Sequence, residues 1–169
     1  MKIKPELIYL GSCFLTLAMV VSGCAVNQAK GPIFSLPASP KSGQALIYIY
    51  RPPNEQYGYS RIYYVQANGN PLKGLRHGGY YPYETNPGHV QIISGGKDTF
   101  FPSVLVDVAN AVEIANVKAA KLDFDAEAGR IYYVKLHPEV HAAYFQPQLF
   151  LMTTNDGENE IKACKLVTE

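Results

Sequence analysis

The chain has 169 residues, of which 47% are hydrophobic and 17% charged, with a formal net charge of +1. That length holds one globular domain with a targeting segment and a linker, and the apolar share is enough for a core, which speaks against a globally disordered chain. The near balance of charge offers no basic stripe to neutralise phosphates, so nucleic acid is not an expected partner.

The first segment in chain order is a leader. Lys2 and Lys4 form a basic start, and Leu7 to Val21 follows without a charge. The run is shorter than the ~20 residues of a bilayer crossing and suits the apolar region of a secretory signal. It ends in Val21-Ser22-Gly23-Cys24, an aliphatic residue, two small residues and a cysteine. This resembles the lipobox of bacterial lipoprotein precursors. The resemblance implies cleavage between Gly23 and Cys24, a diacylglyceryl group on the Cys24 thiol, and an acyl chain such as palmitate on the freed amine. Residues 1–23 are then the signal peptide. Their removal takes away Lys2, Lys4 and Glu6 and leaves equal numbers of basic and acidic side chains. Each buried CH₂ contributes about 0.8 kcal/mol, and stable anchoring needs two hydrophobic signals, which a diacylated cysteine supplies. Residue 25 is Ala rather than Asp; by resemblance to Gram-negative sorting rules this implies the outer membrane, facing the periplasm. The competing reading extends the apolar run through Val26 as an uncleaved anchor.

Cysteine use agrees with an envelope location. Cys13 leaves with the signal and Cys24 is taken by lipid, so Cys164 is alone and no intramolecular disulfide can form. Its expected role is a small buried hydrophobe on a terminal helix, not a nucleophile.

Residues 24–43 comprise the lipidated Cys and a stretch of Gly, Ser, Asn, Gln and Pro, expected to be a flexible tether that holds the domain off the membrane, with Phe34 and Leu36 able to dock. The domain proper is expected over 44–169. Gln44 to Arg51 reads as a strand, with Ala45, Ile47 and Ile49 on one face and Leu46, Tyr48 and Tyr50 on the other. Arg61 to Gln66 is a second strand, returned through the hairpin signal Asn68-Gly69 to Pro71–Leu75. Gly78 to Thr85 reads as an edge strand because Pro82 cannot donate to a ladder. Asn86-Pro87-Gly88 is a turn from which His89 to Ser94 pairs back. Phe101 to Ala120 fits both periods: Val104, Val108 and Val112 at helical spacing, Val104, Val106 and Val108 in alternation. An inserted helix is preferred, and the strand alternative stands. Lys121–Asp125 and Arg130–Leu136 are expected to form a hairpin, and Gln148–Thr153 a last strand. Asn155 or Asp156 should cap a short C-terminal helix, with Glu158 and Glu160 in its first turn. Thirteen Tyr, fourteen Gly and twelve Pro favour pleated, half-buried surfaces joined by turns. The fold class expected is all-β: a single antiparallel β-sandwich with a short C-terminal helix.

A strand ending in Arg51-Pro52, a Tyr-rich strand, Asn68-Gly69, Gly79-Tyr80, Pro87-Gly88-His89, Ala128-Gly129-Arg130-Ile131-Tyr132-Tyr133-Val134 and a closing Glu160 to Leu166 occur in that order. In this order the chain resembles the DUF2846 family of bacterial envelope lipoproteins over about residues 43–167, and Tyr80 to Val90 is similar to PEGA-type sandwich modules. Residues 97–120 look inserted relative to the simplest pattern. The resemblance implies fold and location and carries no catalytic residue, because the family is uncharacterised.

Chemistry is sparse. His137-Pro-Glu-Val-His141 has the i, i+4 spacing of two zinc ligands on a helix, but lacks the His-Glu-x-x-His order and a third ligand; His137 and His141 are weak metal candidates. Asp156 to Glu160 resembles a calcium loop only faintly, without Gly at position 6 or Glu at position 12. No Gly-x-Ser-x-Gly elbow and no phosphate loop occur. No enzyme and no cofactor are therefore expected, a metal-dependent hydrolase being a distant alternative. What remains is tyrosine. Tyr80, Tyr81 and Tyr83 on the expected edge strand are the candidate binding surface, for an envelope protein or, as the alternative, for a glycan or peptidoglycan ring. Against both stands the reading that alternating tyrosines simply cover a sheet.

Overall fold

A computed structural model describes residues 27–35, 37–54, 58–95, 119–141 and 145–168. The signal peptide, Gly23, Cys24 and all of the expected inserted helix except its final residues lie outside the described residues. Ala120, at the end of that stretch, opens a strand.

The strands are β1 (Ala45–Tyr50), β2 (Tyr63–Ala67), β3 (Asn70–Leu75), β4 (Gly79–Thr85), β5 (Gly88–Gly95), β6 (Ala120–Ala126), β7 (Ile131–Val140), β8 (Phe145–Met152) and β9 (Lys165–Leu166), with helix α1 (Thr154–Ile161) between the last two. They form two sheets, ordered β8-β7-β1-β4-β9 and β3-β2-β5-β6. The fold is the expected all-β sandwich with a short C-terminal helix. Its pairing is mixed rather than purely antiparallel, because β1 with β7 and β4 with β9 run parallel. A parallel pair needs a crossover, and the chain supplies one by passing through the second sheet between β4 and β7.

β1 lies at the centre of its sheet and is buried on both faces. Its alternation is the one read from sequence. Ala45, Ile47 and Ile49 enter the core between the sheets, with Val65, Leu75, Val90, Ile92 and Leu136. Leu46, Tyr48 and Tyr50 enter a second cluster on the outer face with Phe34, Tyr133, Ile161 and Cys164. Each fully buried Ile contributes roughly 1.5–3 kcal/mol. The β2–β3 hairpin also follows its turn chemistry: Asn68 and Gly69 adopt φ of 50° and 76°, the paired positive angles of a tight hairpin turn.

Two expected hairpins are not formed. β5 pairs with β2 and β6, not with β4, so Asn86-Pro87-Gly88 carries the chain from one sheet to the other. β6 pairs with β5, whereas β7 pairs with β1 and β8, so the turn at 127–130 does the same. A turn motif specifies a change of direction and not which sheet receives the next strand.

The segment expected to be a flexible tether is laid on the domain from Asn27 onward. The amide of Ala29 donates to the His77 carbonyl at 3.1 Å, Gly31 to Leu166 at 3.1 Å, Leu166 to Pro32 at 2.8 Å and Phe34 to Cys164 at 2.8 Å. These bonds cover the outer edge of β9. Phe34 is buried edge-on to Tyr48 and Tyr80, with ring centroids 5.2 Å apart in both pairs, so the docking foreseen for Phe34 occurs; Leu36 lies outside the described residues.

Helix α1 is capped two or three residues earlier than expected. Its N-cap is Thr153, in extended conformation, whose hydroxyl accepts from the Asp156 amide at 3.2 Å. Asp156 is the acidic residue of the first turn, and Glu158 and Glu160 fall in the second, turned to the sheet. Glu160 accepts from the Tyr50 hydroxyl at 3.0 Å and from Lys135 at 2.9 Å, and Glu158 from the Tyr133 hydroxyl at 3.4 Å. Burial, then the neighbouring carboxylate, drives both phenol pKa values upward. The helix comes this close because Gly157 sits directly on the Tyr133 side chain, where a Cβ would overlap it.

Candidate functional site

In β4 the residue register determines which backbone groups stay open. The Arg51 amide donates to the Gly79 carbonyl at 2.9 Å, and the Val167 amide donates to the Tyr80 carbonyl at 2.9 Å. Odd residues of β4 therefore bond β1, and even residues turn their backbone outward. Along β4, β9 reaches only Gly79 and Tyr80. Beyond it, Pro82 falls on the outward register, where a missing N–H costs nothing. The edge character read from Pro82 thus holds for the second half of β4 and not for the first.

Past β9 this side of the sandwich is open among the described residues. A groove of about 680 Å³ is walled by Pro71, Leu72 and Lys73 of β3 and by Tyr81 and Pro82 of β4, with Leu166 and Val167 closing it. Its lining is mainly apolar, and the Lys73 ammonium at its rim donates to the Thr168 carbonyl at 2.9 Å. Tyr81 is only 6% exposed. Its hydroxyl is buried with no hydrogen-bond partner among the described residues, and burial pushes its pKa well up. An unsatisfied buried hydroxyl costs about 1–3 kcal/mol, and it is the one neutral polar side chain in this wall. The groove can take apolar side chains.

The end of the sandwich above β1 holds a second polar cluster, which sequence reasoning did not single out. Arg51 is fully buried. Its guanidinium donates to the carbonyls of Arg61 at 3.0 Å and Gly58 at 2.7 Å and lies 5.2 Å from the Tyr63 ring centroid. It thereby pins residues 58–61 to the end of β1. His77 is buried edge-on to Tyr59, with centroids 4.7 Å apart, and its Nδ1 has no hydrogen-bond partner among the described residues. Burial first, and the Arg51 charge second, lower its pKa. An imidazole so placed is neutral at pH 7. The Cys164 thiol is buried and donates to the Arg51 carbonyl at 3.6 Å. It lies three residues beyond the end of α1 rather than on it, closed off from any substrate. The only advance signal for this cluster was the Arg51-Pro52-Pro53 strand exit.

The candidate tyrosines do not make one outward surface. Tyr80 packs outside the five-stranded sheet on Phe34 and Tyr48, Tyr81 is buried beside the groove, and Tyr83 packs against the core between the sheets. The alternation of this strand predicts one face that meets water. Here the second sheet covers one face and the docked 27–35 segment covers much of the other. Among the described residues the most exposed tyrosines are Tyr59 at 40% and Tyr64 at 46%. His137 and His141 also differ from their helical reading. His137 is within β7, opposite Gln148, and His141 is just beyond its end. Extended chain at ~3.3 Å per residue separates them by roughly 13 Å, so they cannot share one ion as helical neighbours would. His141 instead lies 3.5 Å from Glu139. Among the described residues no group of three His, Cys, Asp or Glu side chains is placed to hold a metal ion.

Compared with protein-family models and with curated proteins, the chain matches none.

Proposed function

We propose that this chain is a lipoprotein of the bacterial cell envelope, anchored through Cys24 to the outer membrane on its periplasmic side, that acts as a non-catalytic module binding another envelope protein. The anchor reading rests on the basic start, the short apolar run and Val21-Ser22-Gly23-Cys24. The observation that carries the binding reading is the open, mainly apolar groove between β3 and β4. Proline stands on each of the two strands that flank it, Pro71 on β3 and Pro82 on β4. Pro82 removes a donor from the open edge of β4, which disfavours addition of a partner strand there and favours insertion of partner side chains.

A photocrosslinking residue placed at Leu72 in the lipidated protein, in cells, tests this. It should capture a discrete protein that a crosslinker at Ala128, on an exposed turn away from the groove, does not. Soluble cell-wall fragments should leave the capture unchanged; their competition would point to glycan instead. Equal capture at both positions would remove the groove from the reading. Cys24→Ser should leave unprocessed precursor without acyl chains, and a mature form beginning elsewhere would remove the anchor.

A further inference from the structure

The amino-terminal segment does more than fill an edge: it fixes where the domain can stand. Asn27 is held at three points. Its carbonyl accepts from the His77 amide at 3.2 Å, its side-chain amide donates to the Ser60 carbonyl at 2.8 Å, and its side-chain oxygen accepts from Arg76 at 2.9 Å. Only Ala25 and Val26 separate it from Cys24. Three peptide steps reach at most about 11 Å even when fully extended. Resting on the anchor reading above, we propose that the domain is not suspended from the membrane but is pinned to it, with the end that carries Asn27 and the 58–61 turn lying on the lipid headgroups.

The residues around Asn27 suit that neighbour. Tyr59, beside the bonded Ser60, is 40% exposed with its ring over His77; tyrosine is enriched where an apolar body meets a wet headgroup layer. Arg61 follows, its guanidinium 4.5 Å from the Phe145 ring centroid, and Phe145 pairs with the exposed Val140. A continuous path of contacts thus runs from Asn27 through Ser60 and Arg61 to the β7–β8 end. Lys30, exposed and beside Arg76 in a surface pocket, adds an ammonium near this end, which anionic headgroups attract. The opposite end, with the Asn86-Pro87 and Glu127–Arg130 turns, then faces away from the bilayer.

The test uses the full lipidated protein in vesicles of phosphatidylethanolamine and phosphatidylglycerol in equal parts, doped with a lipid spin-labelled at the headgroup. Ser60 and Ala128 are both exposed, and Cys164 is buried. A dye on Ser60→Cys or Ala128→Cys therefore reports one site at a time. Intact mass first establishes the acyl chains on Cys24; a protein without them overturns the anchor reading and this inference with it. With the acyl chains present, quenching at Ser60 should exceed that at Ala128 several-fold. Equal quenching would overturn the pinned orientation while leaving the anchor standing. A Gly/Ser spacer inserted between Val26 and Asn27 should erase the contrast without loss of acylation. A contrast unchanged by the spacer would remove the short leash as its cause and refute the inference.

Discussion

Replacing Tyr81 with Phe should make the protein more stable. The hydroxyl is buried, has no hydrogen-bond partner among the described residues, and sits in a wall that is otherwise mostly apolar. Removing it deletes a desolvation penalty of about 1–3 kcal/mol and loses only the small dispersion contacts of one oxygen. A net gain of about 1–2 kcal/mol is expected, which in a chain of this size corresponds to a Tm increase of roughly 2–8 °C. Guanidinium unfolding should show a higher midpoint at unchanged slope, the mark of a change in stability rather than in the denatured state. Capture of the groove's occupant should at the same time be unchanged, because the buried hydroxyl is out of its reach. A Tyr81→Phe protein that is less stable than the parent would refute the reasoning, because the hydroxyl would then be satisfied in solution.

Gly157→Ala sets a Cβ against the Tyr133 side chain and should destabilise by about 1–3 kcal/mol, as overpacking does; a neutral result in thermal unfolding would mean that α1 is free to shift away from β7. Cys164→Ala leaves a small cavity in the outer cluster and should cost at most a few kcal/mol, and the native thiol should resist alkylation until unfolding; rapid labelling of the folded protein would contradict its burial. His77 has its pKa lowered in the fold, so the unfolded chain binds the extra proton first and stability should fall as pH drops below about 6.5, by up to about 1.4 kcal/mol per pH unit. His77→Gln should abolish that part of the slope between pH 7 and 5, and a slope identical to that of the parent would assign it to other groups.

Several features were legible in the chain because they depend on neighbours close in sequence. The two-residue alternation of Ala45 to Tyr50 sorts side chains onto two faces whatever surrounds them, and Asn68-Gly69 forms its hairpin because both residues tolerate positive φ. The all-β class and the short C-terminal helix follow from the same local chemistry. The pairing of strands does not. Turn residues at 86–88 and 127–130 reverse the chain equally well into the same sheet or the opposite one, and only the fit of side chains far apart in sequence decides between them. The tyrosines show the same division. Their alternation on β4 is local, but whether a face is wet depends on what covers it, and here Phe34, forty-six residues before Tyr80, closes the outer face. The same distant contacts make a docked strap of a segment whose composition reads as linker, because its backbone amides bond to β9 and to His77, partners that no neighbouring residue reveals.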